Sequence, residues 1–203
     1  MKDRQPKHRQ AARERARLDR WAATRAGLPT ALIVCEGRCT EPYYLGGLLE
    51  HLGVNAANAH IQTGSYKTDA LSLVRDARAR FRSTPEYDHV FVVLDGDQAH
   101  LDEARREAGK GMAKAGGGRV TVELIVTSPC FEYWLLLHFE YTTRGLRSVE
   151  AVRALEAHLT DYEKGDREIF AKVSGGLAMA EANAAKGIRD IAATGTVSPR
   201  TDM

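Results

Sequence analysis

The sequence predicts an α/β protein with a mainly parallel central sheet flanked by helices. Three observations lead there. Thr30–Cys35, His89–Asp95 and Val120–Val126 are short runs rich in Val, Ile, Leu and Phe, too short for helices and apolar on both faces, as strands covered on both sides are. Between them lie segments whose apolar residues recur at helical spacing, and such alternation builds parallel sheets. Each strand also runs into acid: Glu36 after the first, Asp95 and Asp97 around Gly96 after the second, Glu132 soon after the third. In open α/β sheets, ligands bind beyond the carboxyl ends of the strands.

In chain order, residues 1–28 form a basic arm with nine Lys or Arg against three Asp or Glu. Its alanines favour helix over Gln10–Ala26, and Arg9, Arg13, Arg17 and Arg20 are its candidate phosphate contacts. A solvated basic tail is the alternative. Residues 29–145 read as the α/β core, and 146–203 as a helical C-terminal extension packed on it. After the first strand, Thr40-Glu41-Pro42 starts a helix through about His51, with Thr40 as cap and Glu41 in the first turn. Tyr44, Leu45, Leu48, Leu49 and Leu52 form its buried stripe. Asn58–Thr63 is a weaker strand. Asp69 or Thr68 caps a helix to Phe81. After Asp97 a polar helix spans about Leu101–Ala115 and ends at Gly116-Gly117-Gly118. These glycines follow a helix and lack the order of a phosphate loop. Phe131–Glu140 is helical with an apolar middle, Ser148 onward is helical with a stripe of Val149, Val152, Leu155 and Leu159, and a further helix includes Leu177–Ile191. Val197–Met203 reads as a loop, and Lys164 and Lys172 as solvated surface, with contact to a phosphate as the alternative.

The 203 residues suffice for one ordinary domain or one with appendages. Three cysteines without a secretory signal point to a reducing, cytoplasmic setting. Cys35 and Cys39 have no His or Cys companions to complete a zinc set. No apolar run approaches the ~20 residues of a membrane span.

Oxygen-only ligands suit Mg²⁺ or Mn²⁺. Glu36, Asp95 and Asp97 are the candidate metal ligands. Such an ion polarises a phosphoryl oxygen and stabilises a leaving alkoxide, while Glu36 can bind metal or exchange a proton if neighbouring acids raise its pKa. Other readings stay open. Asp95 can cap the next helix, Glu36 can pair with Arg38, and Glu41 can serve only the helix dipole. His138 can be a ligand or a packed core histidine. Asp-x-Asp also occurs in phosphatases, but there on the first core strand.

The order of these motifs, a strand ending in Glu36-Gly37 and a later strand ending in Asp95-Gly96-Asp97, resembles the Toprim domain of topoisomerases, primases and OLD-type nucleases. The finer pattern resembles the RloB family. It lies in Ile33-Val34-Cys35-Glu36-Gly37 with Thr40-Glu41-Pro42-Tyr43-Tyr44, in Val93-Leu94-Asp95-Gly96-Asp97, and in Ser128-Pro129-Cys130-Phe131-Glu132 running through His138-Phe139. The resemblance implies a Toprim-like fold and a Mg²⁺-dependent nuclease of prokaryotic anti-phage defence, acting on DNA or RNA beside an ATPase partner. By position it assigns Glu36, Asp95 and Asp97 to metal and catalysis, and marks Glu41, Ser128, Glu132 and His138 as family-motif positions, of which Glu132, in a first helical turn beside the sheet's carboxyl edge, is a further catalytic candidate. Arg38, next to the Glu-Gly turn, joins the arm as a candidate nucleic-acid contact. Gly96 departs from the bulkier residues common there, which loosens the turn. The alternatives are a non-catalytic nucleic-acid-binding or sensing subunit, and a phosphatase or phosphotransferase acting on small molecules.

Overall fold

The structure is a computed structural model and describes residues 28–64, 69–194 and 199–203. The helix expected over Gln10–Ala26, with Arg9, Arg13, Arg17 and Arg20, lies outside the described residues.

The elements run β1 (Ala31–Cys35), α1 (Thr40–His51), β2 (Ala59–Thr63), α2 (Ala70–Ser83), β3 (His89–Asp95), α3 (Leu101–Ala108), β4 (Met112–Ala113), β5 (Arg119–Val120), β6 (Val122–Ser128), α4 (Phe131–Leu136), α5 (Ser148–His158), α6 (Ile169–Val173), a 3₁₀ turn (Ser174–Gly176), α7 (Leu177–Thr194) and β7 (Arg200–Thr201). Five strands form one sheet in the order β2-β1-β3-β6-β7. The first four are parallel and β7 is antiparallel to β6. This mixed α/β architecture is consistent with a Toprim-like arrangement.

Strand side chains alternate between the two faces, and the core divides accordingly. Leu32, Val34, Val90, Val92 and Leu94 pack with α2 and α3. Ile33, Cys35 and Val93 pack with α1, α4, α5, α6 and α7. The connection from β1 leads outward to β2, whereas that from β3 leads the opposite way to β6. The strand order therefore reverses between β1 and β3, and the crevice at such a reversal is where open α/β sheets bind ligands. Glu36 and Asp95 end those two strands.

Several expectations needed correction. Thr40 is the first residue of α1 rather than its cap, and its hydroxyl instead accepts the Gly165 N–H at 3.2 Å. Asp69 does cap α2, accepting the Ser72 N–H at 3.0 Å. The helix expected to Ala115 stops at Ala108, because Gly109 and Gly111 are poor helix formers. The chain then makes the hairpin β4–β5, turning at Gly117 and Gly118, both at positive φ. The strand expected over Val120–Val126 divides between β5 and β6. The helix expected to Glu140 ends at Leu136. The expected C-terminal loop contains β7, where Thr201 Oγ1 lies 2.8 Å from Thr127 Oγ1. Among the described residues no helix is long and apolar enough to cross a membrane.

Candidate metal centre

A cavity of ≈ 310 Å³ opens at the carboxyl ends of β1 and β3. Four carboxylates line it, Glu36, Glu41, Asp95 and Glu132, together with Arg38 and Lys164. Thus the ends of β1 and β3 and the first turns of α1 and α4 deliver their acids to one place.

Glu36 is held from two sides. Its Oε2 accepts the backbone N–H of Asp95 at 3.0 Å, and its Oε1 accepts the Gln98 amide at 2.7 Å. Asp95 Oδ1 accepts the N–H of Phe131 at 2.8 Å. Asp95 therefore caps α4, not the helix that follows it in sequence. Asp97 is exposed, and its Oδ2 accepts the Ser148 hydroxyl at 2.9 Å. It does not line the cavity, but its charge reaches Glu36.

Burial governs the electrostatics. Burial pushes the Glu36 carboxyl up to about 7, with the charges of Glu41 and Asp97 adding and the Asp95 N–H opposing. Burial pushes Asp95 up to about 8, with Glu36, Glu41 and Glu132 adding and the Phe131 N–H opposing. Glu41 is raised for the same primary reason. Glu132 is the exception. It is 4% exposed, yet its carboxyl lies below the ordinary range. Burial acts upward there, but the Cys130 thiol and Lys164 outweigh it. Tyr162 donates to Glu132 Oε1 at 2.9 Å, and Lys164 Nζ stands 3.1 Å from the same oxygen. Lys164 is exposed, as expected, yet its ammonium also lines the cavity and pairs with Glu132. A loop more than sixty residues from Asp95 in sequence supplies it, and no local pattern marks it.

The two glycines of the motifs have steric reasons. A Cβ on Gly37 would lie 1.9 Å from Glu41 Oε2, so Glu-Gly keeps room for the buried Glu41 carboxylate. A Cβ on Gly96 would lie 2.5 Å from Ser128 Cβ and 2.9 Å from Ser128 Cα. Gly96 therefore lets the turn between the aspartates close against Ser128 rather than merely loosening it. Gly96→Ala is expected to cost about 1–3 kcal/mol by overpacking, lowering Tm by roughly 2–4 °C per kcal/mol. Gly116→Ala, with open space around it, is the neutral control in the same thermal melts.

His138 stands elsewhere. It is 2% exposed, with Nε2 3.0 Å from the Tyr44 hydroxyl and Nδ1 3.1 Å from the Trp134 carbonyl. Burial holds its pKa below the ordinary histidine range. Its ring meets Tyr44 and Trp134 edge-on. It is a core histidine.

The donor set fits a hard divalent cation. Glu36 and Asp95 offer carboxylate oxygens at the ends of adjacent strands, and burial and the neighbouring carboxylates push both groups' pKa up. Among the described residues no three His, Cys, Asp or Glu side chains form a ready-made metal cage. Mg²⁺ rarely needs one, since it binds through one or two carboxylates plus waters and substrate phosphate.

A family model described as RloB-like protein matches residues 31–203. The chain belongs to the RloB-like family. The matched span of this RloB-like protein begins with β1 and contains Glu36, Glu41, Asp95, Asp97, Glu132 and His138, as well as Lys164. Arg9, Arg13, Arg17 and Arg20 precede it. Comparisons with curated proteins and with solved structures gave no match.

Proposed function

We propose that this RloB-like protein is a metal-dependent nuclease that hydrolyses phosphodiester bonds of DNA or RNA, with Mg²⁺ or Mn²⁺ held by Glu36 and Asp95. The observation that carries the reading is the juxtaposition of these two carboxylates at the reversal of strand order, with Glu36 bonded to the Asp95 backbone. A bound divalent ion supplies polarisation of the phosphoryl oxygen and stabilisation of the leaving alkoxide. The chain's own groups do the rest. Asp95, fixed by the Phe131 N–H, presents its second oxygen. Glu36 sits between the Asp95 N–H and Gln98, placed to hold metal or to exchange a proton near neutral pH. Glu132, kept ionised, holds Lys164 at the mouth of the cavity, where an ammonium attracts a phosphate into an otherwise acidic pocket. Arg38 on the same wall is a second phosphate contact. Family membership supports a role in prokaryotic anti-phage defence beside an ATPase partner.

A second reading has an observation of its own. Arg38 and Lys164 on the cavity wall also suit a nucleic-acid-binding or sensing subunit whose acids only position a cation and phosphate.

Mn²⁺ calorimetry tests the site first. Wild type is expected to bind, with Glu36→Gln and Asp95→Asn each weakening binding by at least ~10–100-fold. Unchanged binding in both variants would leave the carboxylates structural and remove the basis of the nuclease reading. Incubation of plasmid and of a tRNA pool with Mn²⁺ then separates the two readings. Cleavage abolished by Asp95→Asn supports the enzyme. Binding without cleavage, with the ATPase partner present, supports the second.

A further inference from the structure

The positive charge of the body is concentrated on α2 and on α3 with the turn and strand that follow it. Residues 70–83 and 101–114 carry eight Lys or Arg against four Asp or Glu. The rest of 29–203 has a net charge of −8. These two segments contain α2 and α3, which pack side by side on the same face of the sheet.

The acids of this face are already matched. Asp76 pairs with Arg80 at 3.0 Å, Glu103 with Arg106 at 3.6 Å, and Glu107 with both Arg78 at 3.0 Å and Lys110 at 2.7 Å. Arg78 is 6% exposed and also donates to the backbone carbonyls of Glu107 and Lys110, stapling α2 to the end of α3. Asp102, exposed in the first turn of α3, favours the helix dipole. Arg75, Arg82 and Arg105 are exposed, and among the described residues none has a carboxylate within 4.0 Å. Arg75 and Arg82 are seven residues apart on α2, two turns along one ridge and about 10 Å apart by helix geometry. Exposed guanidiniums on a rigid two-helix platform fit a polyanion whose phosphates repeat on that scale, and they read charge rather than sequence.

We propose that the α2–α3 face, through Arg75, Arg82 and Arg105, binds the phosphate backbone of the nucleic acid that the candidate metal centre acts on. This deepens the nuclease reading and rests on it. α3 follows β3, whose carboxyl end borders the cavity, and α2 follows β2, which runs parallel to β1 and so ends on the same edge of the sheet; both helices therefore start from that edge, and the arginines continue away from it along the body. The basic arm and Arg38 are not needed for this contact, which adds a fixed track to them.

The test uses the full chain and a fluorescein-labelled 20-base-pair DNA duplex, without divalent metal, from 50 to 200 mM salt. Each phosphate contact contributes about 0.9 to the slope of log affinity against log salt. The Arg75→Ala/Arg82→Ala/Arg105→Ala protein is expected to lose roughly 2–3 from that slope. The corresponding triple Lys variant is expected to keep it, and a control triple, Arg144→Ala/Arg153→Ala/Arg189→Ala, is expected to change little. An unaltered slope in the first variant overturns the proposal. An equal fall in the control also overturns it, because net charge alone then explains binding. Absence of duplex binding by wild type at 50 mM salt overturns it as well. Mn²⁺ calorimetry on the same samples keeps the two ideas apart: metal binding retained while the face fails leaves the nuclease reading standing.

Discussion

Asp95→Asn is expected to abolish metal-dependent cleavage, by at least ~100-fold, while making the metal-free protein more stable at pH 8. Both effects come from the same burial. Asp95 sits among Glu36, Glu41 and Glu132 with its carboxyl pushed up to about 8, and Glu36 stands at about 7. The folded protein therefore holds these protons more tightly than the unfolded chain does. The stability this contributes is fully present below the unfolded values near pH 4 and is lost as pH rises through about 7 and 8. A thermal melt of the metal-free protein is thus expected to decline over that window, and saturating Mn²⁺ to flatten the decline by replacing protons with metal. Asparagine carries no charge to desolvate and keeps an oxygen for the Phe131 N–H, so the variant is expected to melt above wild type at pH 8, by roughly 2–4 °C for each kcal/mol relieved. Melts from pH 5 to 9, with and without Mn²⁺, read both effects. A variant that loses cleavage and also melts well below wild type at pH 8 without metal would mean the aspartate is a structural cap, and its link to metal would fail.

The same physics explains which parts of the site were legible in the sequence. A buried parallel strand is nearly pure Val, Ile, Leu and Phe, so an acid at its end stands out, and Glu36 and Asp95 were readable for that reason. Their adjacency followed from the fold class, since neighbouring parallel strands end on the same edge. Lys164 was readable only as a surface lysine within reach of a phosphate, not as a partner of Glu132. Its neighbours Tyr162, Glu163 and Gly165 spell an ordinary polar turn, and only packing of the C-terminal segment, anchored by Gly165 N–H on Thr40, brings it to Glu132. Thr40 looked like a helix cap because local sequence offers no sign of that distant partner. β7 has two residues and exists only because Thr127 and Ser128 offer it an edge, so no periodicity could announce it. The α3 boundary was missed for a different reason. Charged residues with high helix propensity continue past Ala108, and Gly109 and Gly111 between them outweigh that propensity.

His138→Ala is expected to lower stability by about 3–5 kcal/mol and leave Mn²⁺ affinity unchanged, though the residue belongs to the same motif as Glu132. The imidazole fills space among Tyr44 and Trp134, themselves among the most buried side chains. Truncating a core ring leaves a cavity, and here it also strips the Tyr44 hydroxyl of its partner at 3.0 Å, an orphaned buried group that costs about 1–3 kcal/mol by itself. The loss corresponds to roughly 6–20 °C in Tm for a chain of this length. Acid shows the same role with the opposite sign to the carboxylates. The folded His138 pKa is depressed by burial, so its contribution is present above the unfolded value near 6.5 and is lost as pH falls through the lower folded one. Wild type is therefore expected to lose stability on the acid side through His138 and on the alkaline side through Asp95 and Glu36, and His138→Ala to flatten only the acid limb. Calorimetry at 10 °C, where the variant stays folded, decides between core and ligand. Unchanged Mn²⁺ affinity assigns His138 to seating α4, and with it Glu132, against the sheet. Lost affinity in a folded variant would instead extend the metal centre through Tyr44 into the core.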